Sequence, residues 1–556
     1  MKLRNRRIIS SIVALLCVFA LLCSLGACVQ EIPQEPVQED PLAEQRRELY
    51  AQAVEQLLAT PLKLDGSNEM SEALLTAIAN AEYTKPKNII LMIGDGMGMA
   101  AVEAAQRVYA DKLYNGTLAM NQLPLQNGQT TYSVSSDVTD SAAGATALAT
   151  GFKTTNKVIA MDYSAQTARL TLLELAASKG MATGVVSNED ITDATPAAFT
   201  AHVAQRYEQT GIAASQIAKL TDGSLDLVLG GGYGFYEEEE NAAALAAMQS
   251  AGVTYSKSWE EIQQAALPFC GLFAETFIET SDKTLPNIAQ LTDLALNSLD
   301  GQENGFFLMI EGAHIDTYGE AMDYDRVVEE VYAFDCAVAI AMRYVALHPD
   351  TVLVVTADHE TGGLWIPNEV TADNVMEHSF VSGSHSNKKV PLKAAGYGVN
   401  ALGGVVENVD VSIFLASLMG ESNFGQTSVV LSKQNSGTAV TFSAENGTYV
   451  IPEGNIPGLN NQQDMVTVFH VTIENKSDKT FSLPQLGLTK GKKTFTIKPQ
   501  IHYIEGGQKL VVSYTIPFDL RTPTQYEKIT QVLLMLEENA ELTVSDVYIT
   551  TRVFGK

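Results

Sequence analysis

A short acidic segment is the first candidate for chemistry in this chain. The segment "EGAHIDTYGE", Glu311 to Glu320, holds three carboxylates and an imidazole directly after the apolar run "GFFLMI". Carboxylates and imidazoles bind zinc, and carboxylate oxygens also bind magnesium. The same composition fits an acidic turn at the protein surface. The segment therefore predicts a metal site only if further ligands lie beside it.

Three other apolar runs are followed by residues of the same kind. The residues after "NIILMIG", "GVVS" and "LVVTA" are Asp95, then Asp193 and Thr195, then Asp358 and His359. If these runs are parallel strands, their carboxyl ends meet at the edge of the sheet where ligands bind. Carboxylates gathered at one edge repel one another unless cations or hydrogen bonds compensate them. We therefore predict a cluster of divalent ions at this edge.

A serine near the same region is a candidate nucleophile. In "VTDSAAGATALATG", Ser141 precedes a run of small residues that is typical of a helix start. A serine at such a position is most often only a helix cap. Here the small residues would let the helix end, whose free amides favour anions, lie close to a ligand. No histidine base is nearby in the sequence, so a metal ion is the expected activator of the hydroxyl.

The pattern of the surrounding chain indicates how these residues are positioned. From about residue 88, short apolar runs alternate with amphipathic helical segments, including a helix expected from about Arg326 to Leu347. This alternation predicts an α/β fold in which a mostly parallel central sheet is flanked by helices on both faces. From about Asn423 the pattern changes to alternating strands with Gly, Asn and Pro between them, which predicts a C-terminal β-sandwich-like domain. His470 and His502 lie in that region and are interpreted as structural.

Six motifs together carry a family resemblance. They are "GDGMG", "TDSAAGATA", "DATPAAFTAHVAQR", "MIEGAHID", "VVTADHETGG" and "SGSHSNKKVP", and they span roughly residues 86–400. In this order and spacing the chain resembles the alkaline phosphatases. The resemblance implies an enzyme that hydrolyses small phosphate monoesters through a phosphoserine at Ser141, with Arg206 holding two phosphate oxygens. It also implies a homodimer.

The resemblance further implies two zinc ions and one magnesium ion. It assigns Asp316, Glu320 and His385 to the first zinc site, Asp95, Asp358 and His359 to the second zinc site, and Asp95, Thr195, Glu311 and, through water, Asp193 to the magnesium site. The family has a histidine where this chain has Glu320. Three alternatives follow: zinc with Glu320 as a ligand, a different ion or a weakened site, and His314 as a substitute ligand.

A second departure from the family concerns the phosphate itself. The residue after Asp316 is Lys in the familiar bacterial enzymes and His in the animal ones, whereas this chain has Thr317. Phosphate would then be held with less positive charge. The rival interpretations are a phosphodiesterase on the same scaffold and a catalytically weakened metal-binding surface lipoprotein.

The N-terminus predicts export. Residues 1–28 combine a basic start, an apolar stretch and small residues before Cys28, and "LGAC" resembles the bacterial lipobox. We expect a lipoprotein anchored through Cys28 on the extracytoplasmic face. A plain signal peptide, which would give a secreted protein, and a signal anchor are the alternatives. Residues 29–45 are expected to form a disordered linker, residues 46–422 the catalytic domain and residues 423–556 the β domain, whose partner the sequence does not identify.

The net charge excludes one class of partner, and the cysteines indicate whether a disulfide bridge is expected. The formal net charge is −29 at pH 7, which argues against nucleic acid as a specific partner. It also means that metal ions must supply the local positive potential for a phosphate ester. Outside the N-terminal segment the cysteines are Cys270 and Cys336. The helical pattern around Cys336 favours a buried thiol over a disulfide bridge.

Overall fold

The account of the fold rests on a computed structural model of the chain. The residues described are 42–67, 69–368, 376–404, 406–422 and 424–425, together with the strands and short connections between 438 and 553. The predicted signal segment, Cys28 and most of the predicted linker lie outside the described residues. Among the described helices, none is long and apolar enough to cross a membrane.

In the described part of the chain before residue 426, the structure has twelve strands. Their bounds are β1 (Asn88–Gly94), β2 (Leu125–Thr130), β3 (Ala182–Asp190), β4 (Leu227–Gly231), β5 (Thr254–Ser256), β6 (Phe269–Leu272), β7 (Phe306–Gly312), β8 (Thr351–Thr356), β9 (Glu360–Thr361), β10 (His385–Ser386), β11 (Val390–Ala395) and β12 (Val406–Glu407). Ten of them form one sheet in the order β12-β2-β11-β8-β1-β7-β3-β4-β6-β5, while β9 and β10 pair separately. Strand β11 is antiparallel to both of its neighbours, and the other pairs of the ten-stranded sheet are parallel. The prediction of a mostly parallel sheet is confirmed.

The register of the sheet brings the ends of the central strands together. Strand β1 lies between β7 and β8, and its Ile93 is opposite Glu311 on one side and Thr356 on the other. Strand β3 continues the parallel order, with Ser187 opposite Glu311. The residues that follow these strands therefore emerge at the same edge.

Helices connect the strands. Their bounds are α1 (Ala43–Ala59), α2 (Glu72–Asn80), α3 (Met99–Val108), α4 (Ser141–Thr150), α5 (Leu172–Ser178), α6 (Ala194–Thr200), α7 (Gln209–Asp222), α8 (Tyr233–Tyr236), α9 (Ala242–Ser250), α10 (Trp259–Ile262), α11 (Ile288–Leu299), α12 (His314–Glu320), α13 (Tyr324–Leu347) and α14 (Asn408–Leu418). Short 3-10 turns occur at Ala110–Lys112, Tyr114–Gly116, Met120–Gln122, Glu239–Asn241 and Val399–Leu402. The helix expected from Arg326 begins two residues earlier, because the Asp323 side chain accepts a hydrogen bond from Arg326 N and caps α13.

Two apolar layers cover the two faces of the sheet. Side chains of a strand alternate between faces, and β1 shows this directly. Ile90 belongs to the layer that contains Val338 of α13, whereas Leu91 belongs to the layer that contains Leu148 of α4 and Leu415 of α14. Helices on both faces, as predicted, explain why the central strands are apolar throughout.

The C-terminal region forms antiparallel sheets. Its strands are β13 (Thr438–Ala439), β14 (Ser443–Glu445), β15 (Thr448–Pro452), β16 (Met465–Asn475), β17 (Phe481–Ser482), β18 (Gln485–Lys490), β19 (Lys493–Ile497), β20 (Tyr503–Ile504), β21 (Lys509–Ile516), β22 (Ile529–Met535) and β23 (Leu542–Val553). They pair as β13-β23-β16-β21, β14-β15-β22-β18-β19 and β17-β20. This agrees with an additional β domain, and its boundary at residue 423 stays a prediction. His470 lies in β16, and His502 is outside the described residues.

Cys270 and Cys336 are both buried and free. Burial raises the pKa of each thiol far above its usual value. The interpretation of Cys336 as a buried thiol is confirmed, and neither residue resembles a reactive cysteine.

Candidate metal centre

The strand ends deliver acidic and imidazole groups to one centre. Asp95 follows β1 directly, and its backbone N–H donates to Gly312 O of β7 at 3.0 Å. Two groups of three residues each offer ligand atoms within 4.8 Å of one another, and they are Asp95, Asp358 and His359, and Asp316, His359 and His385. The opening segment "EGAHIDTYGE" is therefore part of a cluster of ligands, with His359 shared between the two groups.

Three buried carboxylates of this centre have an oxygen without a hydrogen-bond partner. These oxygens are Asp95 Oδ1, Glu311 Oε1 and Asp358 Oδ2. Burial, reinforced by the neighbouring carboxylates, raises the pKa of Asp95 and Glu311 well above the usual range and that of Asp358 to about 7. An unsatisfied buried polar group costs about 1–3 kcal/mol, and more when it is charged. Oxygens held in this way fit divalent cations, which would satisfy them and neutralise their charge.

The two histidines offer their nitrogens to the same region. Their rings stack with centroids 3.6 Å apart, and the His385 Nδ1 contacts Thr139 O at 3.0 Å. This hydrogen bond places the proton of a neutral imidazole on Nδ1 and leaves the Nε2 lone pair free for a metal. His385 Nε2 lies 3.5 Å from Asp316 Oδ1. Burial lowers the pKa of His359 well below its usual value, so its imidazole is neutral and can also act as a ligand.

Ser141 lies beside the residues predicted for the second zinc site. Its Oγ is 3.1 Å from His359 Nε2, which in turn lies 3.3 Å from Asp95 Oδ1 and 3.4 Å from Asp358 Oδ2. Ser141 is the first residue of α4, and the cap is Asp140, whose Oδ1 accepts from Ala143 N. The small residues have the predicted effect, since a Cβ added to Gly144 would lie 2.8 Å from Asp358 O. The helix end is thus packed directly against the segment that carries Asp358 and His359.

The predicted magnesium ligands surround Asp95. Thr195 Oγ1 donates to Asp95 Oδ2 at 3.4 Å, and Glu311 Oε2 accepts a hydrogen bond from Ser187 Oγ at 2.5 Å. The Asp193 carboxylate is paired with Arg206, whose Nη2 donates to Oδ1 at 3.0 Å and to Oδ2 at 3.1 Å. The contact of Asp193 with magnesium through water stays a prediction.

Arg206 is held beside the serine by carboxylates. Its Nη1 lies 3.9 Å from Asp140 Oδ2, in addition to its hydrogen bonds with Asp193. The guanidinium is mostly buried, with 17% of the side chain exposed. A planar fork oriented in this way is suited to hold two oxygens of one phosphate.

Glu320 lies at the edge of the centre. Its Oε1 is 3.6 Å from His385 Nε2, but 54% of its side chain is exposed, and it belongs to neither three-residue group among the described residues. His314 lies elsewhere. Its Nε2 is 3.1 Å from Glu189 Oε2 and its Nδ1 is 3.3 Å from Asn188 Nδ2. These contacts do not support His314 as the substitute ligand.

Sequence reasoning missed the residues that orient the ligands. Thr361 Oγ1 donates a hydrogen bond to Asp316, Ser187 donates to Glu311, and Asp140 joins α4 to Arg206. Thr361 lies in the quoted motif "VVTADHETGG", but its target is 45 residues away in the sequence. The role of Ser187 depends on the register between β3 and β7.

A partly buried ion pair supports the segment that carries Arg206. His202 Nδ1 contacts Ala160 O at 2.8 Å, and His202 Nε2 contacts Glu174 Oε1 at 2.8 Å. Both ring nitrogens therefore face acceptors, which favours the imidazolium. Burial alone would lower the pKa of His202, but the hydrogen bond and charge of Glu174 outweigh it and raise the pKa.

This pair gives a prediction about stability and pH. A raised pKa in the folded state contributes stability that is complete below the unfolded pKa and is lost as the pH rises through the folded pKa. Replacing His202 with glutamine should therefore lower the free energy of unfolding by about 1.5 kcal/mol at a pH of about 5.5 and by less at a pH of about 9. Denaturant unfolding at both pH values measures this, and an equal difference at both would contradict it.

Comparisons with known proteins point to one family. A family model described as alkaline phosphatase matches residues 86–378. Alkaline phosphatase 3 of Bacillus subtilis is 34% identical over 307 residues, which are 53% of this chain and 66% of that protein, just under two thirds of its length. Streptomycin-6-phosphate phosphatase of Streptomyces griseus is 30% identical over 413 residues, covering 61% of this chain and 92% of that protein.

Solved structures give the same result. The alkaline phosphatase of the Antarctic bacterium TAB5 is 30% identical, with a TM-score of 0.55 over 62% of this chain and 100% of that one. A variant of that enzyme, with a TM-score of 0.54 and 30% identity, has Mg bound in its M3 site.

Proposed function

The chain belongs to the alkaline phosphatase family, and from this premise we propose that it hydrolyses phosphate monoesters through a phosphoserine intermediate at Ser141. The observation that carries the proposal is the position of Ser141 Oγ, 3.1 Å from His359, at the end of a helix packed against a cluster of buried carboxylates. A hydroxyl in such a place is poorly explained as a helix cap, because Asp140 is the cap.

The metal ions would be distributed over three sites. The proposed ligands are Asp316, Glu320 and His385 for the first zinc site, Asp95, Asp358 and His359 for the second zinc site, and Asp95, Asp193 through water, Thr195 and Glu311 for the magnesium site. When bound, the ions supply Lewis acidity and neutralise charge on the attacking and leaving oxygens. The unpartnered oxygens of Asp95, Glu311 and Asp358 support this assignment.

The protein's own residues account for the rest of the reaction. Ser141 Oγ attacks the phosphorus as the bond from phosphorus to the leaving oxygen breaks, and the hydroxyl proton ends on that oxygen, which departs as the alcohol. Arg206 holds two nonbridging oxygens, and the free amides at the start of α4 favour the anion. Water then attacks the phosphoserine and releases inorganic phosphate, which regenerates the Ser141 hydroxyl.

The test is a comparison of ester classes with the purified chain. Phenyl phosphate should be hydrolysed in the presence of zinc and magnesium. Chelation of the ions should slow this hydrolysis, and restoring the ions should return the original rate. A diester such as diphenyl phosphate should be a poor substrate. Faster turnover of the diester would instead support a phosphodiesterase, and turnover of neither ester would support a weakened metal-binding protein.

Glu320 gives a prediction about the first zinc site. Two carboxylates and one imidazole form an acceptable zinc site. Glu320 is half-exposed and offers an oxygen donor where a histidine would offer a nitrogen. The site can therefore also accept a harder divalent ion. Replacing Glu320 with histidine should raise zinc affinity by about tenfold or more, measured by titration calorimetry. Unchanged affinity and unchanged turnover would mean that residue 320 does not contact the ion.

Three further proposals concern the setting of the enzyme. We propose that the chain is exported, with Cys28 as a lipid anchor on the extracytoplasmic face, and that it acts as a homodimer. The N-terminal sequence supports the first two, and family membership supports the third. A labelled fatty acid retained by the wild type and lost in Cys28→Ser would test the anchor.

A further inference from the structure

Lys157 has an unusual backbone conformation beside the site. Its φ is +74°, in the left-handed region that residues with a Cβ rarely adopt. The Lys157 N–H donates to Asp140 Oδ2 at 2.8 Å, and Lys157 O accepts from Arg206 N at 2.8 Å. Lys157 therefore joins the residue before the serine to the arginine. Strain of this kind persists only where surrounding contacts fix it, and it is concentrated at functional sites.

The side chain of Lys157 reaches toward Tyr207. The residue is exposed, and its Nζ is 5.8 Å from the centre of the Tyr207 ring. Tyr207 follows Arg206 in the chain, and 70% of it is exposed. Asp140 Oδ2 accepts a hydrogen bond from Lys157 N and also lies 3.9 Å from Arg206 Nη1, so the backbone of Lys157 and the guanidinium share this carboxylate as a partner.

The charged groups close to Arg206 determine what Lys157 can contribute. The guanidinium is paired with Asp193 and lies near Asp140, and Thr317 contributes no charge. The whole chain carries a net charge of −29. The two carboxylates at Arg206 outnumber its single positive charge, so Lys157 supplies a further positive charge at this edge, and its exposed ammonium can pair with an anion.

We propose that Lys157 and Tyr207 form a specificity-determining rim that binds the leaving group of phosphate monoesters carrying a second anionic group. Lys157 pairs with that second anion, and the Tyr207 ring contacts the apolar part of the leaving group. The inference rests on the proposed function and extends it from monoesters in general to dianionic or polyanionic ones.

The experiment compares two substrates that differ by one carboxylate, phenyl phosphate and para-carboxyphenyl phosphate. The quantity measured is the ratio of kcat/KM for the carboxylated ester to kcat/KM for phenyl phosphate. In Lys157→Gln this ratio should fall by about fivefold, mainly through KM, as expected for the loss of an exposed ion pair. The fall should shrink at high salt, because exposed charges are screened.

Three variants separate charge from structure. Lys157→Gly removes the same charge while relieving the backbone, so its ratio should match that of Lys157→Gln. Lys157→Arg keeps the charge and should keep the wild-type ratio. Lys179→Gln, at an exposed lysine following α5, should leave the ratio unchanged.

The outcomes are distinct. A wild-type ratio in Lys157→Gln, or a ratio that differs between the Gln and Gly variants, would overturn the rim while leaving the phosphatase intact. If the wild-type enzyme with zinc and magnesium hydrolyses neither ester, the proposed function fails, and the rim is overturned with it.

Discussion

Replacing Ser141 with alanine is expected to lower turnover of phenyl phosphate by at least about a thousandfold, while zinc and magnesium content stay at the wild-type level. The reason is that Ser141 Oγ is the atom proposed to form the bond to phosphorus. The metal sites and Arg206 remain in the variant, so a small residual rate through direct attack of water is expected.

The measurement combines kinetics with covalent labelling. Wild-type protein quenched in acid after incubation with radioactive phosphate should carry label on the peptide that contains Ser141, and Ser141→Ala should carry none. Ser250→Ala, at the end of α9, is a matched control that should behave as wild type. Undiminished turnover or persisting label in Ser141→Ala would exclude Ser141 as the nucleophile.

The second large effect is expected at Asp95. Its carboxylate contacts residues of both the proposed second zinc site, where Oδ1 lies 3.3 Å from His359, and the proposed magnesium site, where Oδ2 lies 3.4 Å from Thr195. Replacing Asp95 with asparagine should therefore weaken two ions at once, and turnover should fall by about a thousandfold or more. Elemental analysis should show less zinc and less magnesium per chain.

The same substitution should have opposite effects on stability with and without metal. In the metal-free protein, burial and the nearby carboxylates raise the pKa of Asp95, so its ionised form destabilises the fold as the pH rises through that raised value. Asparagine removes this charge. The Tm of metal-free Asp95→Asn should thus exceed that of the metal-free wild type at a pH of about 8, whereas with metal it should be lower.

Calorimetry on both forms provides the test. Asp111→Asn, at an exposed carboxylate in a 3-10 turn, is the matched control and should shift neither Tm. An unchanged metal content in Asp95→Asn, or a lower Tm in both forms, would contradict the view that cations neutralise this carboxylate.

The sequence predicted the main chain of the centre better than its side-chain contacts. Continuous apolar strands predict a sheet covered on both faces, and parallel strands must end at a common edge, so the approach of Asp95, Glu311 and Asp358 followed from pattern alone. The position of Ser141 at a helix start followed from the small residues after it. Both rest on periodicity and on local residue preferences, which a single sequence displays.

The contacts that orient these groups depend on packing between distant segments. The hydrogen bond from Ser187 to Glu311 requires the register of β3 on β7, and that from Thr361 to Asp316 requires the approach of β9 to α12. These two hydrogen bonds cannot be predicted from the residue types or from their separation in the sequence. The exposure of Glu320 likewise depends on the direction of α12, which the apolar pattern of seven residues does not determine.

The state of Cys270 and Cys336 has a practical consequence for handling this protein. Within the described part of the chain both thiols are buried and free, so the folding of that part requires no disulfide formation. Reductants such as dithiothreitol should leave that part intact, and a host cytosol rich in glutathione is a suitable place to produce it.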